Sequence, residues 1–129
     1  MIKVKRVSDP VEESDGHRIL VDRLWPRGMR KEALVHEAWL RGVSPSNALR
    51  QWLAHDPVKW DEFRLRYWLE LDDNHDDIGK LIAYAKAGFV TLLFGSKERR
   101  YNNAVALKEY LENHLQKDGQ TIKETSITR

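Results

Sequence analysis

Apolar and basic positions alternate over residues 2 to 7 (IKVKRV), the period-2 pattern of a strand with one buried face. The stretch SDPVEESDG that follows is dense in turn formers and reads as a loop. Residues 18 to 24 (RILVDRL) read as a second, buried strand that runs into Trp25-Pro26-Arg27-Gly28. There proline removes a ladder donor and glycine permits unusual dihedrals, so the strand is expected to stop. Residues 29 to 43 fit either a short helix carrying Ala33, Leu34, Ala38 and Trp39 or a short strand, and a strand near Ala38 to Leu40 is preferred. Ser44-Pro45 has the form of an N-cap followed by proline at the first helical position, opening a helix with Ala48, Leu49, Trp52 and Leu53 on one face. Asp56-Pro57 repeats that form and opens the clearest helix, in which Trp60, Phe63, Tyr67 and Leu71 make an inward aromatic stripe. A further helix begins near Asp76 or Asp77, carries Ile78, Leu81, Ile82 and Ala85, and stops at Gly88. FVTLLF, residues 89 to 94, is a continuous apolar run of the kind found in central parallel strands. A last helix carries Ala104, Leu107, Leu111 and Leu115 on one face.

Strands separated by helical stretches predict a small doubly wound α/β fold: a mostly parallel sheet of three to four strands, with helices on both faces. Residues 1–117 are expected to form a single domain and residues 118–129 (DGQTIKETSITR) a polar, frayed tail.

Composition narrows the chemistry. The 129 residues suit one domain, and the absence of cysteine excludes a disulfide, a thiolate metal site and a cysteine nucleophile. The histidines at 17, 36, 55, 75 and 114 are scattered, with no His-x-x-x-His or Glu-x-x-His pair, so neither a metal nor a cofactor is expected. Asp72 to Asp77 resembles the start of a calcium loop, but Asp77 stands where glycine belongs and Ala83 where glutamate belongs. No apolar run approaches the roughly 18 residues of a membrane span, and the N-terminus lacks the apolar core of a signal peptide. A soluble, cytoplasmic domain without a membrane partner is therefore the expectation. Charged residues are 33% of the chain and nearly cancel to +2, with a local basic cluster at Lys97, Arg99 and Arg100, so the balance leaves nucleic acid as a partner undecided.

In open parallel sheets ligands bind beyond the carboxyl ends of the strands. That rule selects residues 22 to 28 after the second strand and residues 95 to 103 after FVTLLF. Arg23 and Arg27 bracket a Trp-Pro pair that could hold a guanidinium over an anion, whose oxygens its planar fork meets bidentately. Ser96 and Lys97 precede a helix capped by Asn102 or Asn103, where amides, a hydroxyl and an ammonium can cradle an anion. Arg50 can help from the helix after Ser44-Pro45-Ser46. The bland reading pairs Arg23 with Asp22 or Glu70, leaves Arg27 and the basic loop solvated, and makes the asparagines mere caps. Neither a P-loop spacing nor a Gly-x-Ser-x-Gly elbow is present.

The strings VDRLWPRG (21 to 28), WLRGVSPSNALRQWLAHDPVKWDEFRLRYWLEL (39 to 71) and VTLLFGSKERRYNNAVALKEYL (90 to 111) resemble the bacterial domain of unknown function 488 family, in its YeaO-like branch. The resemblance covers nearly the whole chain and implies a compact α/β fold, with no reaction to carry over. Other branches of that family place a cysteine after the last strand and a Cys-His-Arg-like string at the following helix. This chain has Phe94-Gly95-Ser96 and Asn102-Asn103-Ala104 there, so thiol chemistry of those branches cannot operate in it.

Two functions follow as expectations. One is a domain that binds or acts on an anionic, phosphate-bearing or nucleotide-like small molecule, with Asp22 or Glu98 as acid–base candidates if it is an enzyme. The other is a noncatalytic adaptor or nucleic-acid-associated protein using the basic loop 96–100. Whether catalysis occurs at all, and the oligomeric state, stay open at this level. Purified without an affinity tag, the protein is expected to carry no stoichiometric zinc or iron, and finding either by elemental analysis would overturn the metal-free reading.

Overall fold

The computed structural model describes the backbone of residues 1–127 and the side chains of residues 1–117, so the tail expected over 118–129 lies outside the fully described residues. Strands β1 (Ile2–Arg6), β2 (His17–Leu20) and β3 (Ala38–Trp39) are followed by helices α1 (Asn47–Leu53), α2 (Trp60–Asp72) and α3 (His75–Ala87). Strand β4 (Val90–Phe94) and helix α4 (Asn103–Ile127) complete the chain. The four strands form one all-parallel sheet in the order β1-β4-β2-β3. An α/β fold with a parallel sheet flanked by helices is thus what the chain adopts, and the short strand at Ala38 exists.

Strand β4 is central: Ile2 to Arg6 pair with Val90 to Phe94 on one side, and His17 to Leu20 pair with Val90 to Leu93 on the other. All five of its residues are buried. Alternation then sends Val90, Leu92 and Phe94, with Ile2, Ile19 and Val21, to one face. There they meet Leu49 of α1, the Trp60/Phe63/Tyr67/Leu71 stripe of α2, Ile78, Leu81 and Ala85 of α3, and Ala104, Leu107 and Leu111 of α4. The Tyr67 hydroxyl donates to the Val43 carbonyl, which satisfies the stripe's polar atom.

The opposite face departs from expectation, because among the described residues no helix contributes to its apolar cluster. Leu20 and Leu93 pack there against Leu34, with Val7, Trp25, Met29 and Trp39 around them. The chain between β2 and β3 covers this face with turns, since Pro26 and Gly28 interrupt any helical register. Next to it lies a buried ionic cluster. Asp15 is fully buried and receives Arg18 at 2.5 Å and Lys5 at 2.7 Å, while its carbonyl accepts from the Thr91 hydroxyl at 2.8 Å. Burial alone would raise the Asp15 carboxyl, but hydrogen bonds from Lys5, the Glu12 segment and Arg18 outweigh it and hold the group well below the usual carboxylate range.

Three boundaries differ from the sequence reading. Strand β2 ends at Leu20 instead of Leu24: Val21 still donates to the Leu93 carbonyl at 3.1 Å, after which Asp22 turns away to bond Gly95. The cap of α1 is Ser46, whose hydroxyl accepts from the Leu49 amide at 3.1 Å and is held by Glu70 at 2.6 Å, whereas Ser44 closes the preceding 3₁₀ turn. Helix α3 begins at His75 behind an Asn74 cap. Among the described residues no helix is long and apolar enough to cross a membrane.

A loop-to-loop clip joins the segments that leave β1 and β4 at the carboxyl end of their shared ladder. Both Arg99 Nη atoms bind the Asp9 carboxylate, at 3.0 and 2.8 Å, and this pairing pulls the Asp9 carboxyl down to about 2. A carboxyl depressed on folding stabilises above its unfolded pKa of about 3.9, and the gain is lost as pH falls through about 2. Because Arg99 is largely solvated, Asp9→Asn is expected to cost only about 1 kcal/mol at neutral pH. The gap between wild type and variant should close near pH 2 in thermal unfolding, and a pH-independent gap would rule the clip out.

Candidate functional site

Strands β2 and β4 run parallel with Leu20 opposite Leu93, so the segments leaving them emerge on one rim. A cavity of about 550 Å³ opens there. Asp22, Arg23 and Leu24 line it from the exit of β2, and Ser44 and Pro45 from the approach to α1. Arg50, Gln51, Ala54 and His55 contribute from α1 and its exit, and Ser96, Tyr101, Asn102 and Asn103 from the approach to α4.

Glycine at position 95 is what lets the two exits touch. A Cβ there would lie 3.2 Å from an Asp22 carboxylate oxygen and 3.3 Å from Pro26 Cβ. Instead, the Gly95 amide donates to Asp22 Oδ2 at 2.8 Å and Asn103 Nδ2 donates to Oδ1 at 3.2 Å. Burial pushes the Asp22 carboxyl up, opposed by those two hydrogen bonds and by the Arg50 charge. The loop amide that could have received an external anion is thus held by an internal carboxylate.

Arg23 has no ion pair among the described residues. Its Nη2 reaches only the Pro45 carbonyl, at 3.4 Å, and its buried Nε has no hydrogen-bond partner. The carboxylates that could have neutralised it are committed elsewhere: Asp22 to Gly95 and Asn103, and Glu70 to the Ser46 amide and hydroxyl. Arg50 donates through Nη2 to Asn47 Oδ1 at 2.8 Å and is otherwise exposed.

Of the residues singled out from sequence, Arg23, Arg50, Ser96 and Asn102 line the cavity, and Arg27 and Lys97 do not. Trp25 explains the first absence. Its indole donates to the Met29 carbonyl at 2.6 Å and packs edge-on against Trp39, which turns Pro26 toward Gly95 and leaves Arg27 exposed. Lys97 is exposed on the loop. Asn102 is the cap of α4: its Oδ1 accepts from the Val105 amide at 3.0 Å and its Nδ2 donates to the Glu98 carbonyl at 2.8 Å. Ser96 Oγ accepts from the Glu98 amide at 3.0 Å. Among the described residues no group of three metal-ligating side chains gathers.

His55 escaped the sequence reading. Ala54 and His55 have φ of 46° and 59°, two consecutive non-glycine residues in the left-handed region. The cause lies downstream: Asp56 precedes proline and is held extended, so the reversal after α1 falls on the two residues before it. Each such residue costs about 1–2 kcal/mol, and the result is a histidine on the cavity wall. A proline four residues beyond the last residue of the helix, with no glycine between, was the only signal.

A family model described as "Inactive DUF488-N3 subclade" matches residues 1–128. The Uncharacterized protein YeaO of Escherichia coli is 40% identical over 112 residues, which are 87% of this chain and 97% of that protein. The Uncharacterized protein Rv3073c of Mycobacterium tuberculosis and the Uncharacterized protein Mb3100c of Mycobacterium bovis are each 44% identical over 73 residues, 57% of this chain and 62% of each relative. No solved structure matches.

Strain at the exit of α1 is open to measurement. Ala54→Gly should raise stability by up to about 1 kcal/mol, because glycine adopts the left-handed conformation without a Cβ penalty. A lowered melting temperature for the glycine variant would show that the site stores no strain there.

Proposed function

This chain belongs to the inactive DUF488-N3 subclade, and we propose that its cavity binds an anionic, phosphate-bearing small molecule without turning it over. The observation that carries this reading is Arg23, a half-buried guanidinium on the cavity wall with a buried Nε that no group among the described residues satisfies. An unmet buried donor costs about 1–3 kcal/mol, and a ligand oxygen relieves it. Arg50 and His55 on the same wall add positive or donor character, and a guanidinium fork suits phosphate.

The absence of chemistry is argued from the loop after β4. It offers no thiol, and its one aliphatic hydroxyl, Ser96, has no histidine or carboxylate hydrogen-bonded to it among the described residues to act as base. The family description, an inactive subclade, agrees. A contact surface on loop 96–100 is less favoured, because Arg99 is clipped to Asp9 and Arg23 is recessed beside a cavity instead of lying on a flat patch. A cysteine-free chain of this kind suits a cytoplasmic setting.

Inorganic phosphate and pyrophosphate, titrated by calorimetry, are the first probes. Arg23→Ala should weaken their binding by about 1.5–3 kcal/mol while leaving the melting temperature unchanged, and a stability loss with affinity unchanged would retire Arg23 as a binding residue. Asp22 supplies a second readout. Its carboxylate repels an incoming anion, so affinity should rise as pH falls into its elevated titration range, and Asp22→Asn should bind more tightly at pH 7.

A further inference from the structure

The main cavity does not end at Tyr101. A second recess of about 160 Å³ adjoins it, with His55 and Tyr101 belonging to both. Its character is opposite to that of the arginine-lined side. Leu53, Pro57 and Trp60 make an apolar floor, and the Tyr101 ring leans on Trp60 at 5.3 Å between centroids. Two carboxylates, Asp56 and Glu98, stand at its edge.

Each carboxylate has one oxygen engaged by backbone. Asp56 Oδ1 accepts from the Val58 amide at 3.0 Å, and Glu98 Oε1 accepts from the amides of Arg100 and Tyr101 at 3.2 and 3.1 Å. These bonds position the groups and leave Asp56 Oδ2 and Glu98 Oε2 without partners among the described residues. The recess therefore presents an aromatic face, an apolar floor and two free acceptors. That combination suits a flat ring bearing an amino donor, since stacking is met by tyrosine and the N–H by carboxylate. A bare phosphate or pyrophosphate would leave it unfilled.

Resting on the anion-binding reading above, we propose that the ligand is a nucleoside monophosphate with an amino-bearing base. Its phosphate lies against Arg23 and Arg50, and its base lies against Tyr101 with the amino group donating to Glu98 or Asp56. The left-handed pair Ala54-His55 is the corner between the two halves, which gives the strained backbone a role: it places the imidazole where phosphate and base regions meet.

Calorimetry on the full chain with inorganic phosphate, adenosine 5′-monophosphate, inosine 5′-monophosphate and phosphocholine tests this. The adenine nucleotide should bind at least about tenfold more tightly than phosphate, through the stacked base. The inosine nucleotide, with a carbonyl in place of the amino group, should bind several-fold more weakly than its adenine counterpart. Tyr101→Ala should bring the adenine nucleotide down to the affinity of phosphate. Because Tyr101 also packs on Trp60, Glu98→Gln is the second variant: it retains the backbone-accepting oxygen and should narrow or reverse the preference for adenine over inosine. If phosphate binds through Arg23 but the adenine nucleotide is no tighter, or the two nucleotides bind alike, or phosphocholine binds best, the nucleotide assignment is overturned and the anion site stands. If neither phosphate nor any nucleotide binds, the anion-site reading itself falls.

Discussion

Strand β4 lies between two strands that precede it by more than 60 residues in the chain, and its double ladder is the constraint on which the remaining structure depends. Before β4 is in place, β1 and β2 have no ladder between them, although only residues 7 to 16 separate them. That short link must run back over β4 from the level of Phe94 to that of Val90, and the crossing is tight. Gly16 has φ +62°, and a Cβ on it would stand 2.2 Å from the Phe89 carbonyl oxygen. The same crossing puts Asp15 under the sheet, where Lys5, Arg18 and Thr91 meet its side chain and carbonyl. Removing one partner from such a buried charge cluster is expected to be costly, because the others are left uncompensated in a poorly solvating interior.

The ladder also builds the site. Parallel strands in register end together, so Asp22 meets Gly95 across a gap of 73 residues in sequence, and the two loops become walls of one cavity. The fold settles the local electrostatics by binding its own carboxylate at the loop amide and leaving Arg23 unpaired. A half-buried guanidinium with an unmet Nε and two left-handed residues side by side are both unfavourable for stability. Both occur on the wall of the same cavity, where a ligand can offset the first, and that coincidence is the physical basis of the functional reading.

Membership of an inactive subclade fits the chemistry of the loop after β4. Gly95-Ser96 has no thiol, the Ser96 hydroxyl is engaged with the Glu98 amide, and Asn102 is committed as a helix cap. The elements that shape a pocket are present beside a loop without a thiol. Recognition can persist under such conditions because it needs only preorganised donors and shape, whereas catalysis needs an activated group at the reacting atom.

By itself the sequence determined the elements whose signal is local. The apolar run of β4, the alternation in β1, the aromatic stripe of α2 and the Asp56-Pro57 start are set by side-chain burial and backbone dihedrals within a few residues, and all appear in the fold. It also determined that Arg23, Arg50 and Ser96 follow or face the strand ends. Only the tertiary structure decided which polar groups are already paired. Asp22 could have neutralised Arg23 next to it in sequence, but goes to Gly95 because the strand ends meet there. Arg27 is turned outward by the packing of Trp25, and His55 is brought in by a reversal that Pro57 forces upstream. Helices gather on one face because the β2–β3 chain claims the other with its tryptophans. Hydrogen-bond partners are allotted by distances between segments far apart in the chain, and no local pattern of residues encodes those distances.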